Sequence, residues 1–195
     1  IVDESLAGVD ARPGAPNFVY DPVGRLTEAW MPGHQYTYDF TTPADAACPA
    51  GSRANAGANT NRMRMVEVTA AGSAETRYCY DDADRLLATL GATAISDVRY
   101  DAEGNTTSYT QGGATTTLTW DGAGRNTGLA VTGADPAAGF YLRDATDRII
   151  RRTTTAGDTL DEVRHGYIAG GDTADLALAG DLRLLTRSIC LLYTS

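Results

Sequence analysis

The stretch Tyr78-Cys79-Tyr80-Asp81-Asp82-Ala83-Asp84-Arg85 decides the fold of this chain, because its pattern recurs along the sequence. Two aromatic residues at alternate positions lead into an aspartate, then two variable positions, then Gly or Asp, then Arg or Asn. The repeated aspartates are Asp21, Asp39, Asp81, Asp101, Asp121 and Asp144, at intervals of 18, 42, 20, 20 and 23 residues. A period near 20 residues predicts a repeat architecture.

Five of these copies predict a tight turn of one type. An aspartate at the first position can accept hydrogen bonds from backbone N–H groups two or three residues further on. The fourth position requires a positive φ, which Gly adopts freely and Asp tolerates. A type I turn followed by a left-handed residue is a common hairpin connection. The predicted turn residues are Asp21, Gly24, Asp81, Asp84, Asp101, Gly104, Asp121, Gly124, Asp144 and Asp147.

The residues on both sides of each turn have the character of strands. Residues 115–120 are rich in Thr, with Leu118 and Trp120 at alternate positions and therefore on one face. Gly-containing turn signals lie midway between the aspartates, for example at residues 111–113. The sequence therefore predicts an all-β fold, an antiparallel ribbon of hairpins. The best helix candidate, Thr173 to Leu185, contains Gly180, and we favour strand over helix there.

The repeated aromatic and basic residues each allow two interpretations. We expect the aromatic side chains to form the buried face of stacked hairpins, and the alternative is a platform that stacks on sugars. We expect the arginine after each turn to pair with a neighbouring aspartate or to cover a sheet edge, and the alternative is a binding site. The aromatic residues are Tyr20, Tyr38, Tyr78, Tyr80, Tyr100, Trp120 and Tyr141, and the arginines are Arg25, Arg85, Arg125 and Arg148.

Composition limits the classes of partner. Of the 195 residues, 43% are hydrophobic and 21% charged, which is enough apolar material for a core. The net charge of −9 argues against nucleic acid or an anionic membrane as a partner. No apolar run approaches the length of a membrane span. Because the sequence begins at Ile1, we expect it to be a piece of a longer protein.

The cysteines also leave two interpretations. Cys48 lies in the irregular Ala-, Gly- and Asn-rich stretch 41–62, and Cys79 lies on a predicted strand, facing away from Tyr78 and Tyr80. A Cys48–Cys79 disulfide would attach the irregular stretch to the sheet and imply an oxidising compartment. The alternative is two free thiols, one of them buried. Cys190 lies in the tail 188–195, which lacks turn residues and is interpreted as truncated or non-native.

We find no residues that predict catalysis, a cofactor or a metal. The two histidines, His34 and His165, lie outside any nucleophile motif, so a structural or exposed role is expected for both. The acidic runs at 81–84 and 101–103 lack the spacing of a calcium loop. No Gly-rich phosphate loop follows a strand and opens a helix. The chain is therefore predicted not to be an enzyme.

Three runs resemble the YD repeats of RHS-repeat proteins. They are residues 18–26, 78–86 and 100–105, and the similarity extends over about residues 18 to 175. The segment 164–172 resembles the stretch that follows such repeats in large secreted proteins of high-GC Gram-positive bacteria. Two copies depart from the pattern: Asp39 is not followed by Gly-Arg-Leu, and Arg143 stands where an aromatic residue is expected.

The resemblance implies an architecture and a function. The hairpin ribbon would form part of a curved shell that encloses and delivers a C-terminal toxin domain of the same polypeptide, in a secreted or cell-surface bacterial protein. The alternative is a cell-surface adhesion module that binds glycans. The expected organisation is a partial strand or linker at 1–17, YD repeats at 18–40, an insertion at 41–62, YD repeats and the following shell segment at 63–187, and the tail.

Overall fold

The computed structural model confirms the all-β prediction. It describes residues 10–92, 94–167, 171 and 173–187, so the tail 188–195, residues 1–9 and part of the segment 164–172 lie outside the described residues. The chain divides into two compact units, residues 1–98 and 99–195, with the division inside one strand. Apart from a single 3₁₀ turn at Ala56–Asn59, the described elements are strands. Residues 10–17 contain no strand.

Consecutive strands pair antiparallel in both units. In the first unit β1 to β7 follow chain order, and in the second β8 to β15 do so. The first seven strands are β1 Phe18–Tyr20, β2 Leu26–Met31, β3 His34–Asp39, β4 Arg64–Thr69, β5 Gly72–Tyr80, β6 Leu86–Gly91 and β7 Ile95–Tyr100. The next eight are β8 Thr106–Gln111, β9 Ala114–Trp120, β10 Asn126–Thr132, β11 Ala137–Arg143, β12 Ile149–Ala156, β13 Thr159–Gly166, β14 Leu176–Ala179 and β15 Leu184–Arg187.

The two predicted kinds of turn alternate along the ribbon. Gly112 and Gly113 both have positive φ, at 58° and 80°, and join β8 to β9 in a two-residue loop. Positive φ at both central residues gives the turn a twist that matches the flanking strands. Beside the aspartate turns the strand register shifts by one residue, as between Cys79 and Tyr80. This shift is the bulge expected when a type I turn ends in a left-handed residue.

The buried apolar residues described in the first unit are small side chains and one methionine rather than aromatic rings. They include Ala29, Ala56, Met63, Cys79 and Ala88. Tyr20 is 59% exposed, whereas the other six repeat aromatics are of intermediate exposure, so the expectation that the rings form the buried face of stacked hairpins stays a prediction.

The segment 173–187 contains strands, as the favoured interpretation had it, and a turn that we did not predict. Ala179 donates its N–H to the carbonyl of Arg183 at 2.9 Å, and Leu182 donates to the carbonyl of Ala179 at 2.9 Å. Leu182 has a φ of 68°. This is the backbone of an aspartate turn with Ala in place of the aspartate, and Asp181 instead accepts from the Arg183 N–H at 3.0 Å.

The glycines of one turn provide a matched test of the backbone requirement. Gly124 has a φ of 73°, Gly122 has no positive φ, and a Cβ on either would have no neighbour within 4 Å. We expect Gly124→Ala to lower the free energy of unfolding by about 1 kcal/mol, because an L-residue is strained in the left-handed region. Gly122→Ala should be neutral or slightly stabilising. Urea unfolding measures both, and equal effects would contradict the requirement.

Candidate functional site

The aspartate turns are the most regular chemical feature of the chain, and in five of them the carboxylate makes the same contacts. One oxygen accepts from the backbone N–H groups of the third and fifth turn residues at 2.8–3.1 Å. The other oxygen accepts from the side chain of the fifth residue at 2.6–3.0 Å. The carboxylate therefore satisfies the turn backbone, and in the four turns with arginine at the fifth position it also neutralises that arginine.

The backbone hydrogen bonds of the five turns are as alike as their side-chain contacts. The aspartate N–H donates to the carbonyl of the fifth residue at 2.9–3.0 Å, and its own carbonyl accepts from the fourth at 3.0–3.2 Å. The fourth residues have φ between 61° and 90°, as predicted. The repeat arginines pair with aspartate, as one of the two predictions for them had it. Each forms an ion pair with the aspartate of its own turn, and they are Arg25, Arg85, Arg125 and Arg148.

Hydrogen bonding lowers the pKa of these carboxyl groups. At Asp21 and Asp121 the backbone N–H of the arginine four residues on has the largest effect. At Asp101 the largest effect comes from the Asn105 side chain. At Asp81 and Asp144 burial opposes the effect, yet the hydrogen bonds outweigh it and lower the pKa. All five carboxylates are thus held in the ionised form by contacts within their own turns.

The two turns with Asp at the fourth position use that carboxylate for a further contact. Asp84 accepts from the side-chain amide of Asn61 at 2.7 Å and from that of Asn59 at 3.1 Å. Asp147 accepts from the Arg143 guanidinium at 3.2 Å. Asp therefore replaces Gly where a turn binds a neighbouring side chain. The structure also explains Arg143 at an aromatic position, because it donates to the carbonyls of Asn126 and Asp147.

The insertion occupies the place of an aspartate turn. It spans the 24 residues 40–63 between β3 and β4, slightly more than the predicted 41–62, and the two strands pair directly with each other. Asp39 begins it and accepts from the backbone and hydroxyl groups of Thr41 and Thr42. These bonds hold its pKa below the ordinary value although burial acts in the opposite direction. Asp39 therefore caps the entrance to the insertion.

Contacts with two aspartate turns and with β5 hold the insertion in place. The Arg25 guanidinium donates to the carbonyl of Gly57 at 3.1 Å, and Asn59 and Asn61 bind Asp84. The insertion is close-packed at Gly57, where a Cβ would lie 1.8 Å from the Phe40 carbonyl oxygen.

Of the two interpretations of Cys48 and Cys79, the structure has the disulfide. Cys48 of the insertion is bonded to Cys79 of β5, with 5.6 Å between the two Cα atoms and a sequence separation of 31. Cys79 is fully buried. On the same strand, two residues away, Arg77 forms an ion pair with Asp45 of the insertion. One covalent and one ionic contact therefore fasten the insertion to this face of β5.

The aromatic rings of the first unit contact one another and an arginine. Tyr36 and Tyr38 have parallel rings with centroids 6.2 Å apart, and Tyr78 and Tyr80 are 6.4 Å apart. The Arg62 guanidinium lies over the rings of Tyr38 and Tyr78, at 5.2 and 4.6 Å from their centroids. Cation–π attraction of this kind holds Arg62, near the C-terminal end of the insertion, against β3 and β5.

His34 lies in a small polar cluster on β3 and β4. Its Nδ1 is 2.7 Å from Glu67 Oε1, and the Tyr36 hydroxyl donates to the same oxygen at 2.8 Å. The hydrogen bonds from His34 and Tyr36 lower the pKa of Glu67, and the bond to Glu67 raises the pKa of Tyr36. Within the described residues, no Ser, Thr or Cys side chain is hydrogen-bonded to His34.

The described ranges contain neither a cluster of metal-ligating side chains nor a membrane-spanning helix. No group of three or more His, Cys, Asp or Glu side chains in them is arranged to hold a metal ion. None of the helices there is long and apolar enough to cross a membrane. Comparison with protein-family models gives no match, and comparison with the curated proteins gives none either.

The residues that fasten the insertion were not predicted, apart from the two cysteines. Asp45, Asn59, Asn61 and Arg62 lie in a stretch that shows no periodicity, so nothing in the sequence indicated which strand they would contact. The one available signal was Asp84, since an Asp where Gly is easier suggests a use for the carboxylate. Its partners could be named only from the folded chain.

The lowered pKa values predict loss of stability in acid. A carboxyl group whose pKa is lower in the folded chain stabilises it above the unfolded-state pKa, about 4, and this stabilisation disappears as the pH falls through the folded-state value. We expect the urea midpoint to fall below pH 4, and Asp144→Asn to reduce that dependence. Asp158→Asn is the control, since its carboxylate makes no hydrogen bond within the described residues. A midpoint that is constant from pH 6 to pH 2 would contradict the role of the carboxylates.

Removal of the disulfide should lower stability substantially. For a closed loop of about 30 residues the chain-entropy model gives roughly 3–4 kcal/mol, and we expect the double variant Cys48→Ala, Cys79→Ala to lose about that much free energy of unfolding. Cys190→Ala is the control for loss of a thiol. Chemical denaturation measures both variants. If the double variant unfolded at the denaturant concentration of the parent chain, the disulfide would have no structural role.

Proposed function

We propose that this chain is a non-enzymatic segment of the β-shell of an RHS-repeat protein, which encloses and delivers a C-terminal toxin domain. The observation that carries the proposal is the five aspartate turns with one hydrogen-bond pattern. Turns of this kind build a ribbon by repetition, and a ribbon of hairpins can be extended by further repeats on the same principle. The partners would be the other repeats and the enclosed domain of the same polypeptide.

The use of the polar and aromatic groups supports a structural role. In four of the turns the carboxylate and the arginine neutralise each other, so these groups are not presented to a substrate. The rings of Tyr38 and Tyr78 are covered by Arg62 rather than left open as a sugar platform. The Cys48–Cys79 disulfide fits a protein of the cell surface or the exterior, where disulfides persist.

The test uses the complete reading frame that contains this chain. The whole protein is produced and digested with increasing amounts of a broad-specificity protease, and the C-terminal domain is followed by mass spectrometry. A shell predicts that this domain resists digestion in the whole protein and is degraded when expressed alone. Electron microscopy of the same sample should reveal a hollow particle.

Two results would overturn the proposal. One is a C-terminal domain that is digested at the same rate in the whole protein and alone. The other is binding of the whole protein to a glycan array that Tyr36→Ala abolishes, with no protected domain, since that result would favour the adhesion module. The variant Tyr109→Ala, in a strand of the second unit, is the control for a general effect of removing a tyrosine.

A further inference from the structure

The two halves of the insertion differ in how they are attached to the ribbon. Residues 43–52, which we call the Cys48 strap, reach the ribbon through two side chains: Cys48 is bonded to Cys79, and Asp45 is ion-paired with Arg77. Among the described residues, no other hydrogen bond or ion pair joins the strap to a residue outside the insertion. Six of the ten strap residues are exposed.

The second half of the insertion, residues 53–63, is held by its backbone as well as by its side chains. Arg53 donates its N–H to the carbonyl of Tyr80 at 2.7 Å, and Tyr78 donates its N–H to the carbonyl of Met63 at 3.0 Å. The Met63 side chain is buried. The side-chain contacts with the two aspartate turns belong to this half too. Its attachment therefore does not depend on the disulfide.

The two cysteines of the disulfide differ in their access to solvent. Cys48 is half-buried and lies between the exposed residues Ala47 and Pro49, whereas Cys79 is fully buried. The rate of thiol–disulfide exchange depends on which sulfur an incoming thiolate can reach. We therefore expect a thiolate to attack the sulfur of Cys48 and to displace that of Cys79.

We propose that the disulfide is a redox switch for the Cys48 strap. Reduction by a low-molecular-weight thiol releases the strap from β5 and uncovers Cys79, while residues 53–63 stay attached. The link to the ribbon that then remains is the ion pair of Asp45 with Arg77. An ion pair that is partly exposed contributes little to stability, and ordering the strap costs conformational entropy at every residue. The switch concerns the first unit alone and is independent of the proposed shell.

The reduction consists of two exchange steps. In the first, a thiolate of the reductant forms a bond to Cys48 Sγ, and the Cys48–Cys79 bond breaks with its electron pair on Cys79 Sγ, which takes a proton from water. In the second, another reductant thiolate attacks the reductant sulfur of the mixed disulfide, and Cys48 leaves and is protonated. Two thiols are thereby oxidised to one disulfide, and the two cysteines gain the two electrons.

Hydrogen–deuterium exchange followed by mass spectrometry tests the switch in the whole chain. Cys190→Ser is included in every sample, so that Cys48 and Cys79 are the remaining cysteines. Millimolar reduced glutathione is the reductant. We expect exchange in the strap to become about tenfold faster on reduction, because a segment with few remaining contacts opens at little cost in free energy. Exchange in residues 53–63 and in β4 should stay unchanged.

Two variants separate the disulfide from the ion pair. Cys48→Ser should have the fast strap exchange without any reductant, and glutathione should not increase it further. Asp45→Asn, with the disulfide intact, should change strap exchange by less than about twofold, because the ion pair contributes little. Circular dichroism checks that both variants are folded, and reduction of the parent chain measures the same opening without a substitution at either cysteine.

The site of attack is read from the reaction intermediate. Acid added during the reduction stops exchange between thiols and disulfides, and peptide mapping then locates the bound glutathione. We expect it on Cys48 and not on Cys79.

Four results would overturn the proposal. The first is a disulfide that glutathione reduces in urea but not in the folded chain. The second is strap exchange that does not change after reduction. The third is exchange in residues 53–63 that rises as much as that of the strap, since the insertion would then open as a whole. The fourth is glutathione bound mainly to Cys79, which would place the attack on the buried sulfur.

Discussion

The bond between a turn aspartate and the backbone of the same turn is the interaction on which the ribbon depends. A hairpin that reverses through a left-handed residue leaves N–H groups without strand partners, and these groups need acceptors. One carboxylate oxygen supplies an acceptor for two of them, and the other oxygen binds the side chain that follows the turn. Because all of these contacts lie within five residues, each turn is complete in itself, and its geometry does not depend on what the neighbouring hairpins contain.

The fold was predictable from the sequence because the turn is local. Asp121, Gly124 and Arg125 specify one turn by their order alone, and repetition of that order specifies the antiparallel ribbon. The turn at residues 179–183 escaped prediction for the same reason: it keeps the backbone hydrogen bonds and the left-handed residue, but with Ala179 and Leu182 at the diagnostic positions. The aromatic pattern correctly indicated strands, but it could not determine how far each ring is covered, because alternation reports which side a ring takes and not what lies against it.

The contacts that attach the insertion to the ribbon could not be predicted from the sequence. Its partners lie up to 32 residues away, as for Arg77 and Asp45, and the contacts that hold it differ in kind: a disulfide, amide–carboxylate bonds and a guanidinium between two rings. None of these contacts recurs along the chain, so no periodic sequence pattern indicates them. The disulfide was the exception, because a cysteine can form a disulfide only with another cysteine and the sequence contains just three.

Self-contained turns also explain why a long insertion is tolerated inside the ribbon. Replacing a five-residue turn by 24 residues adds about two doublings of loop length, or roughly 1–2 kcal/mol of closure entropy. By the chain-entropy model, the disulfide stabilises the folded chain by more than this. The strands on either side of the insertion keep their register, from His34 opposite Thr69 to Asp39 opposite Arg64. The insertion thus changes what covers a face of the ribbon without changing how the ribbon is built.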